Sequence, residues 1–272
     1  MSAAIITARA RHTPQNPWQR HLEIVRLSAV RQLRSRYRGS ALGVLWSFAN
    51  PILMTLIYTA IFGTAFARYY GGSTNRYVAS AFVGVVVVTV FLQATADALP
   101  SVVANGALLN KIAIDPETFP FAALAANFYQ QALTTFPMLI VMAVVLTHDP
   151  LRVALVPLVL AGVFLLTAGF ALLLSALYVF FRDLSYLWGV VGFIFWLTSP
   201  VFYPAELVPA QVRQFLGINP VGLAITALRD VTIDTGPVRF AVIGKFLLVA
   251  VVIVVAGHLA FRARRREYMD LL

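Results

Sequence analysis

The sequence predicts an all-α polytopic membrane protein with six transmembrane helices, an N-terminal amphipathic interface helix and short re-entrant gate helices between spans 5 and 6. Three observations predict it. Of the 272 residues, 60% are hydrophobic and only 12% charged, with a mean hydropathy of +0.81, a balance foreign to a soluble domain. Apolar windows of about 20 residues, the length a helix needs to cross the hydrocarbon, recur between short charged interruptions. Lys and Arg gather at the ends of those windows, which accounts for the net charge of +10 without nucleic acid as a partner. Because a backbone in lipid must satisfy its own polar groups, continuous apolar runs read as helices.

Residues 1–41 form a cytoplasmic N-terminus with no secretory signal pattern, and it is expected to stay in the mature protein. Within it, residues 17–38 suit a helix lying flat in the inner interface. Leu22, Val25, Ala29 and Leu33 share one face, and Arg20, Arg31, Arg34 and Arg38 share the other. Arg26 and Arg36 fall on the apolar face and must snorkel or pair. The spans are placed at Leu42–Phe66, Val78–Ala98, Phe121–Leu146, Val153–Phe181, Leu184–Tyr203 and Phe240–Phe261, so that residues 42–261 make one membrane domain and 262–272 a basic cytoplasmic tail. An even number of spans puts both termini on one side. With that side cytoplasmic, only Arg68, Arg76, Arg152, Arg213, Arg229 and Arg239 of the 21 basic residues lie in outer loops, and Lys245 lies near the outer end of the last span.

Residues 199–239 are neither span nor plain loop. An apolar run near Phe215–Leu228 is broken by Asn219-Pro220 and Gly222, and Pro200, Pro204, Pro209 and Pro220 cut the segment into short pieces. Runs of 10–14 apolar residues suit re-entrant helices, which places a candidate outer gate at about 204–235.

Composition excludes several chemistries. There is no cysteine, so thiolate catalysis and disulfides are out. His12, His21, His148 and His258 are scattered without metal-ligand spacing, and no metal site is expected. No carboxylate pair suits acid–base work within a span; Asp97 alone lies in or near a span core, where its place beside Pro100 suggests the end of the helix. A glycine-rich phosphate loop is lacking, so the chain cannot hydrolyse ATP by that mechanism alone. Few buried charges also disfavour ion coupling. Aromatics, in contrast, crowd spans 1 and 5, where they serve as an interfacial belt, as helix packing, or as a lining on which sugar rings slide.

Four motifs, in this order, resemble a known family. They are RQLRSRYRGSALGVLWSFANP (Arg31–Pro51), NGALLNKIAIDPETFP (Asn105–Pro120), FRDLSYL (Phe181–Leu187), and SPVFYPAELVP with NPVGLAITALRD (Ser199–Pro209 and Asn219–Asp230). With the six spans, they are similar to the ABC-2-type permeases that export O-antigen, capsule, teichoic acid and galactan polysaccharides. The resemblance implies a transport permease rather than an enzyme, in a bacterial or archaeal inner membrane. It implies a homodimer that moves a lipid-linked polysaccharide from the cytoplasm through a path between the subunits. Two partner ATPase subunits would bind ATP and Mg, leaving this chain without a cofactor. The cytoplasmic segment at about 100–118, with Asn105, Leu108, Leu109, Lys111, Asp115 and Glu117, would couple to the ATPase; Asp115-Pro116 stands where the family often has Pro-Arg. Arg31, Arg34 and Arg38 would hold the interface helix and the substrate's phosphates at the inner leaflet. Trp46, Tyr58, Phe62, Phe193, Phe195, Trp196, Phe202 and Tyr203 are the candidate path lining. The alternative is an ABC-2-type exporter of a drug or lipid.

Overall fold

The computed structural model describes residues 17–36, 39, 43, 45–109, 114–204, 207–208, 217–265 and 267–268. Among them the helices are α1 (Pro17–Arg36), α2 (Leu45–Ala67), α3 (Thr74–Ala98), α4 (Ser101–Ala104), α5 (Gly106–Leu109), α6 (Thr118–Leu133), α7 (Thr135–Thr147), α8 (Pro150–Phe180), α9 (Leu184–Thr198), α10 (Pro220–Thr232) and α11 (Phe240–Ala263). The described residues contain no strand, as the apolar runs require.

The spanning count differs from the six unbroken spans expected. Four helices, α2 with the 3-10 turn after it, α3, α8 and α11, are long and apolar enough to cross. The third expected span is instead the pair α6 and α7, bent by 45°. Pro137 is the reason: it cannot donate to the carbonyl of Leu133, and its ring crowds that carbonyl, so the helix breaks at Thr134. The fifth, α9, has 15 residues, about 22 Å at the helical rise and short of the hydrocarbon thickness of about 30 Å. It stops at Thr198 because Ser199 turns extended ahead of Pro200, so the apolar letters through Tyr203 are not all helix.

Helix α3 is the centre. Of its apolar window 78% is buried inside the subunit, against 11% for α2. Its valine run, Val85–Val88, would favour strand in water, but in a bilayer the internally bonded helix wins. The Ser73 hydroxyl caps it by accepting from the Arg76 backbone N–H at 3.3 Å. The longest packing seam joins α8 to α11. It closes at Gly169 and Gly257, where a Cβ on Gly169 would lie 2.6 Å from the Ile253 backbone.

Helix α10 is the apolar segment that was too short to span. Its Val221, Ala224, Ile225, Ala227, Leu228 and Val231 are fully buried, packed against α3, α7, α8 and α11. Asn219 starts it: Oδ1 accepts from the backbone N–H groups of Val221 and Gly222, at 2.9 and 3.2 Å. Residues 205–206 and 209–216 of the expected gate lie outside the described residues.

Candidate functional site

The segment after α3 is built inward. Asn105 Nδ2 donates to the Ser101 carbonyl at 2.8 Å, and the Asn105 carbonyl accepts from Leu108 and Leu109, which turns α4 into α5. Leu109 is buried with Val102, Phe119, Leu172, Val179, Phe261 and Tyr268, while Leu108 packs half-buried against them. Lys111 lies outside the described residues. Glu117 is 6% exposed; its carboxylate meets Arg262 Nε at 3.2 Å and His258 Nδ1 at 3.4 Å. Asp115 pairs with Arg265 at 3.3 Å and accepts from the Glu117 N–H. Burial raises the Tyr268 phenol above its ordinary value, and its O–H donates to the Phe261 carbonyl at 3.0 Å.

The candidate coupling segment is therefore tied by two carboxylates to the end of α11. Sequence reasoning missed Arg262 and Arg265 as its partners, because basic residues beyond a last span are first read as topology, and missed His258 because a lone histidine within a span end has no metal-ligand spacing to single it out. Ala104 and Ala107 are the exposed residues of α4 and α5, turned away from this core.

The aromatic residues divide. Tyr58, Phe62 and Phe66 recur every four positions along one face of α2, with successive ring centroids 6.1 and 5.5 Å apart. Phe202 stacks on Tyr58 at 3.4 Å, and Trp196 lies 5.9 Å from Phe202, so one continuous patch joins α2 to the end of α9. Tyr203 anchors beside it, donating to the Leu197 carbonyl at 3.1 Å. Phe195 turns the other way, edge-on to Phe91 and Phe170 and beside Trp188, within the subunit. Phe193 is 65% exposed and Trp46 52% exposed, each apart from the patch.

Helix α1 packs on α6, with Ala29 buried and Val25 and Leu33 half-buried on the face expected from the pattern. Arg31 is exposed on this helix, Arg34 is within it, and Arg38 lies outside the described residues.

At the opposite end from the coupling segment, arginines assigned to outer loops are partly built into the fold. Arg152 is 2% exposed and donates to the carbonyls of Asp230 and Gly236. Asp230, fully buried, pairs with Arg239 at 2.6 Å. Arg229 donates to the Ser80 carbonyl at 2.9 Å and to the Val201 carbonyl at 2.9 Å. Together these hold α10 against α3, the start of α8 and the approach to α11. Asp97 is thus not the only carboxylate within the helical core: Asp230 is more deeply placed. Nothing in the sequence distinguished it from a loop residue, because its partners are distant or appear only on folding.

Residues 24–233 match the family described as ABC-2 type transporter. The chain belongs to the ABC-2 type transporter family. This ABC-2 protein is similar to the O-antigen export system permease protein RfbA of Klebsiella pneumoniae, 24% identical over 89% of this chain and 92% of the relative. It is similar in the same way to RfbA of Myxococcus xanthus, 24% identical over 88% and 92%. A further similarity is to the capsule polysaccharide export inner-membrane protein CtrC of Neisseria meningitidis, 23% identical over 71% and 72%. The matched range includes all four motifs that suggested the family.

Proposed function

We propose that this ABC-2 family member is the membrane subunit of an ATP-driven exporter that carries a lipid-linked polysaccharide out of the cytoplasm along a path between two copies of the chain. The observation that carries this reading is end-to-end similarity to O-antigen export permeases, over about nine-tenths of both chains. In this reading the chain crosses the membrane six times, with α6–α7 as one bent span and α9 completed by residues 199–203, and both termini are cytoplasmic. Two nucleotide-binding subunits supply ATP and Mg and dock on the segment at 100–118.

Physical features support the two-copy path, the sugar substrate and the lipid carrier. Helix α2 and the exposed face of α9 leave Leu53, Ile57, Ile61, Val190, Phe193 and Leu197 without cover inside the subunit, which suits a second copy facing them. The Tyr58–Phe62–Phe66 ladder with Phe202 and Trp196 offers a continuous aromatic surface to sugar C–H groups without demanding one hydrogen-bond pattern. Arg31 and Arg34, with Arg38 beyond α1, supply positive charge for the phosphates of a lipid carrier. Lipid or drug export is favoured by one feature, an apolar groove of about 400 Å³ lined by Ile52, Leu56, Phe82, Met138 and Val141.

The test is deletion of the gene followed by complementation. Loss of surface polysaccharide with accumulation of lipid-linked glycan inside the cell is expected, restored by the wild-type chain. Unchanged surface glycan with altered lipid or drug efflux would support the second reading.

A further inference from the structure

We infer that a pocket at the outer end of the subunit, between the turn after α2 and the loop joining α10 to α11, holds a sugar unit of the glycan as it leaves the aromatic path. This rests on the export reading above, which sets that end outside, and it names an exit contact for the same substrate. The pocket has a volume of about 410 Å³, within the usual range of about 300–1,000 Å³ for small-ligand sites. Tyr69, Tyr70, Arg76, Asp234, Thr235 and Arg239 line it. Tyr70 continues the four-residue series of Tyr58, Phe62 and Phe66: Phe66 and Tyr70 both meet Tyr77 edge-on, at 6.0 and 5.7 Å between ring centroids. The aromatic series of α2 therefore ends at this pocket.

Both walls are fixed by the fold. On one side Gly71 and Gly72, with φ of 67° and 76°, turn the chain back into α3. The Tyr70 hydroxyl accepts from Ser80 Oγ at 3.1 Å, and the Arg68 guanidinium lies 4.9 Å over the Tyr69 ring. On the other side two buried charges hold the loop. Arg152, 2% exposed, donates to the carbonyls of Asp230 and Gly236. The fully buried Asp230 carboxylate accepts from Arg239 Nε at 2.6 Å and from the Arg239 backbone N–H at 3.1 Å. Burying charges is costly, so committing two of them to a loop whose Thr235, Gly236 and Pro237 are exposed calls for a reason beyond cohesion.

The polar groups of the pocket are open to a ligand. Asp234 and Arg239, joined at 2.6 Å, have side chains 47% and 50% exposed, and Tyr69 is 37% exposed. A carboxylate and a guanidinium that fix each other present an acceptor and donors side by side, which matches neighbouring hydroxyls of a sugar ring. A tyrosine ring beside them takes the C–H side of the sugar. Rigid walls lower the ordering cost of binding, and the small number of contacts keeps the hold weak enough for a chain in transit.

The test uses the full chain in a sugar-free detergent and saturation-transfer NMR. The probes are methyl glycosides of glucose, mannose, galactose and rhamnose, and oligosaccharide released by mild acid from the surface polysaccharide of the same strain. At least one probe should receive saturation. Tyr69→Ala should weaken its binding about fivefold, the size of one ring contact, and Asp234→Asn should weaken it as well while keeping the side-chain shape. Tyr129→Ala, at an exposed position of α6 that does not line the pocket, should bind as the wild type does. Thr235→Cys allows the pocket to be blocked after folding: unlabelled it should bind normally, and carrying a membrane-impermeant maleimide it should lose binding. The same reagent should label Thr235→Cys in intact spheroplasts and slow the appearance of new surface glycan. No signal for any probe, equal loss of binding in Tyr129→Ala, unchanged binding in labelled Thr235→Cys, or labelling only after lysis overturns the inference. Surface glycan that depends on the gene, together with no probe signal, removes the pocket and leaves the export reading; surface glycan independent of the gene removes the export reading itself.

Discussion

Asn219 shows how one polar side chain can organise a buried turn. Its Oδ1 caps α10, and its Nδ2 donates to Thr198 Oγ1 at 3.2 Å and Ser199 Oγ at 3.0 Å, which joins the end of α9 to the start of α10. Asn219→Ala should cost about 0.5–2 kcal/mol from the cap alone. Asn219→Asp should recover the cap and not the two donated bonds. Melting followed by tryptophan fluorescence in detergent should therefore rank wild type above Asp above Ala; equal melting of all three would show the turn to be held by packing. Arg152 acts on a larger scale because it supplies donors to two separate carbonyls from a buried position. Arg152→Met should destabilise by about 1–3 kcal/mol, the cost of orphaning the buried Asp230 carbonyl, since Gly236 is exposed and its carbonyl can turn to water. The same melting assay reads it, and an unshifted midpoint would refute the assignment.

Helix pairs succeed or fail on how closely their backbones approach. At the α8–α11 crossing a Cβ on Gly257 would overlap the Gly169 carbonyl, whereas one on Gly244 of α11 meets nothing within 4 Å. Gly257→Val should sharply reduce the yield of folded protein and Gly244→Val should not, as read by size-exclusion profile after extraction. The other junction on α11 is electrostatic. Glu117→Arg should unlink the coupling segment from α11, and adding Arg262→Glu should restore part of the pairing. The expected pattern is loss of export in the single variant and partial recovery in the double, measured as surface glycan. Loss without recovery would mean that Glu117 serves the fold by its burial rather than through Arg262.

The assembled exporter is where the candidate surfaces are expected to meet partners. The chain has no native cysteine, so single introduced cysteines report cleanly. Ile61→Cys and Phe193→Cys should crosslink between two copies, while Leu248→Cys and Leu259→Cys, exposed on α11, should not. Crosslinks from the second pair alone would move the dimer contact to the opposite side of the subunit. Ala104→Cys and Ala107→Cys should crosslink to the ATPase. Replacing Tyr58, Trp196 and Phe202 with Ala should slow export and leave ATPase assembly intact; normal export would reduce the aromatic patch to packing.

Membrane residence, helical class, the face by which α1 packs and the family were all legible in the residue letters, because each depends on local quantities: apolar length, periodicity and short motifs. The 58/62/66 ladder was legible for the same reason, since helical spacing alone aligns it. Span integrity was less so. Hydropathy sums letters without regard to hydrogen bonding, so it counted through Pro137 and past Ser199, where the helices break or stop. The long-range partnerships were not legible at all. Arg152 reaches the carbonyls of Asp230 and Gly236, Glu117 meets the end of α11, and Gln93 is left with a buried acceptor, through chain segments brought together by folding. A charge or an amide reads as solvated in a linear string; only the burial and geometry of its neighbours reveal whether it is a surface group, a clamp or part of a site.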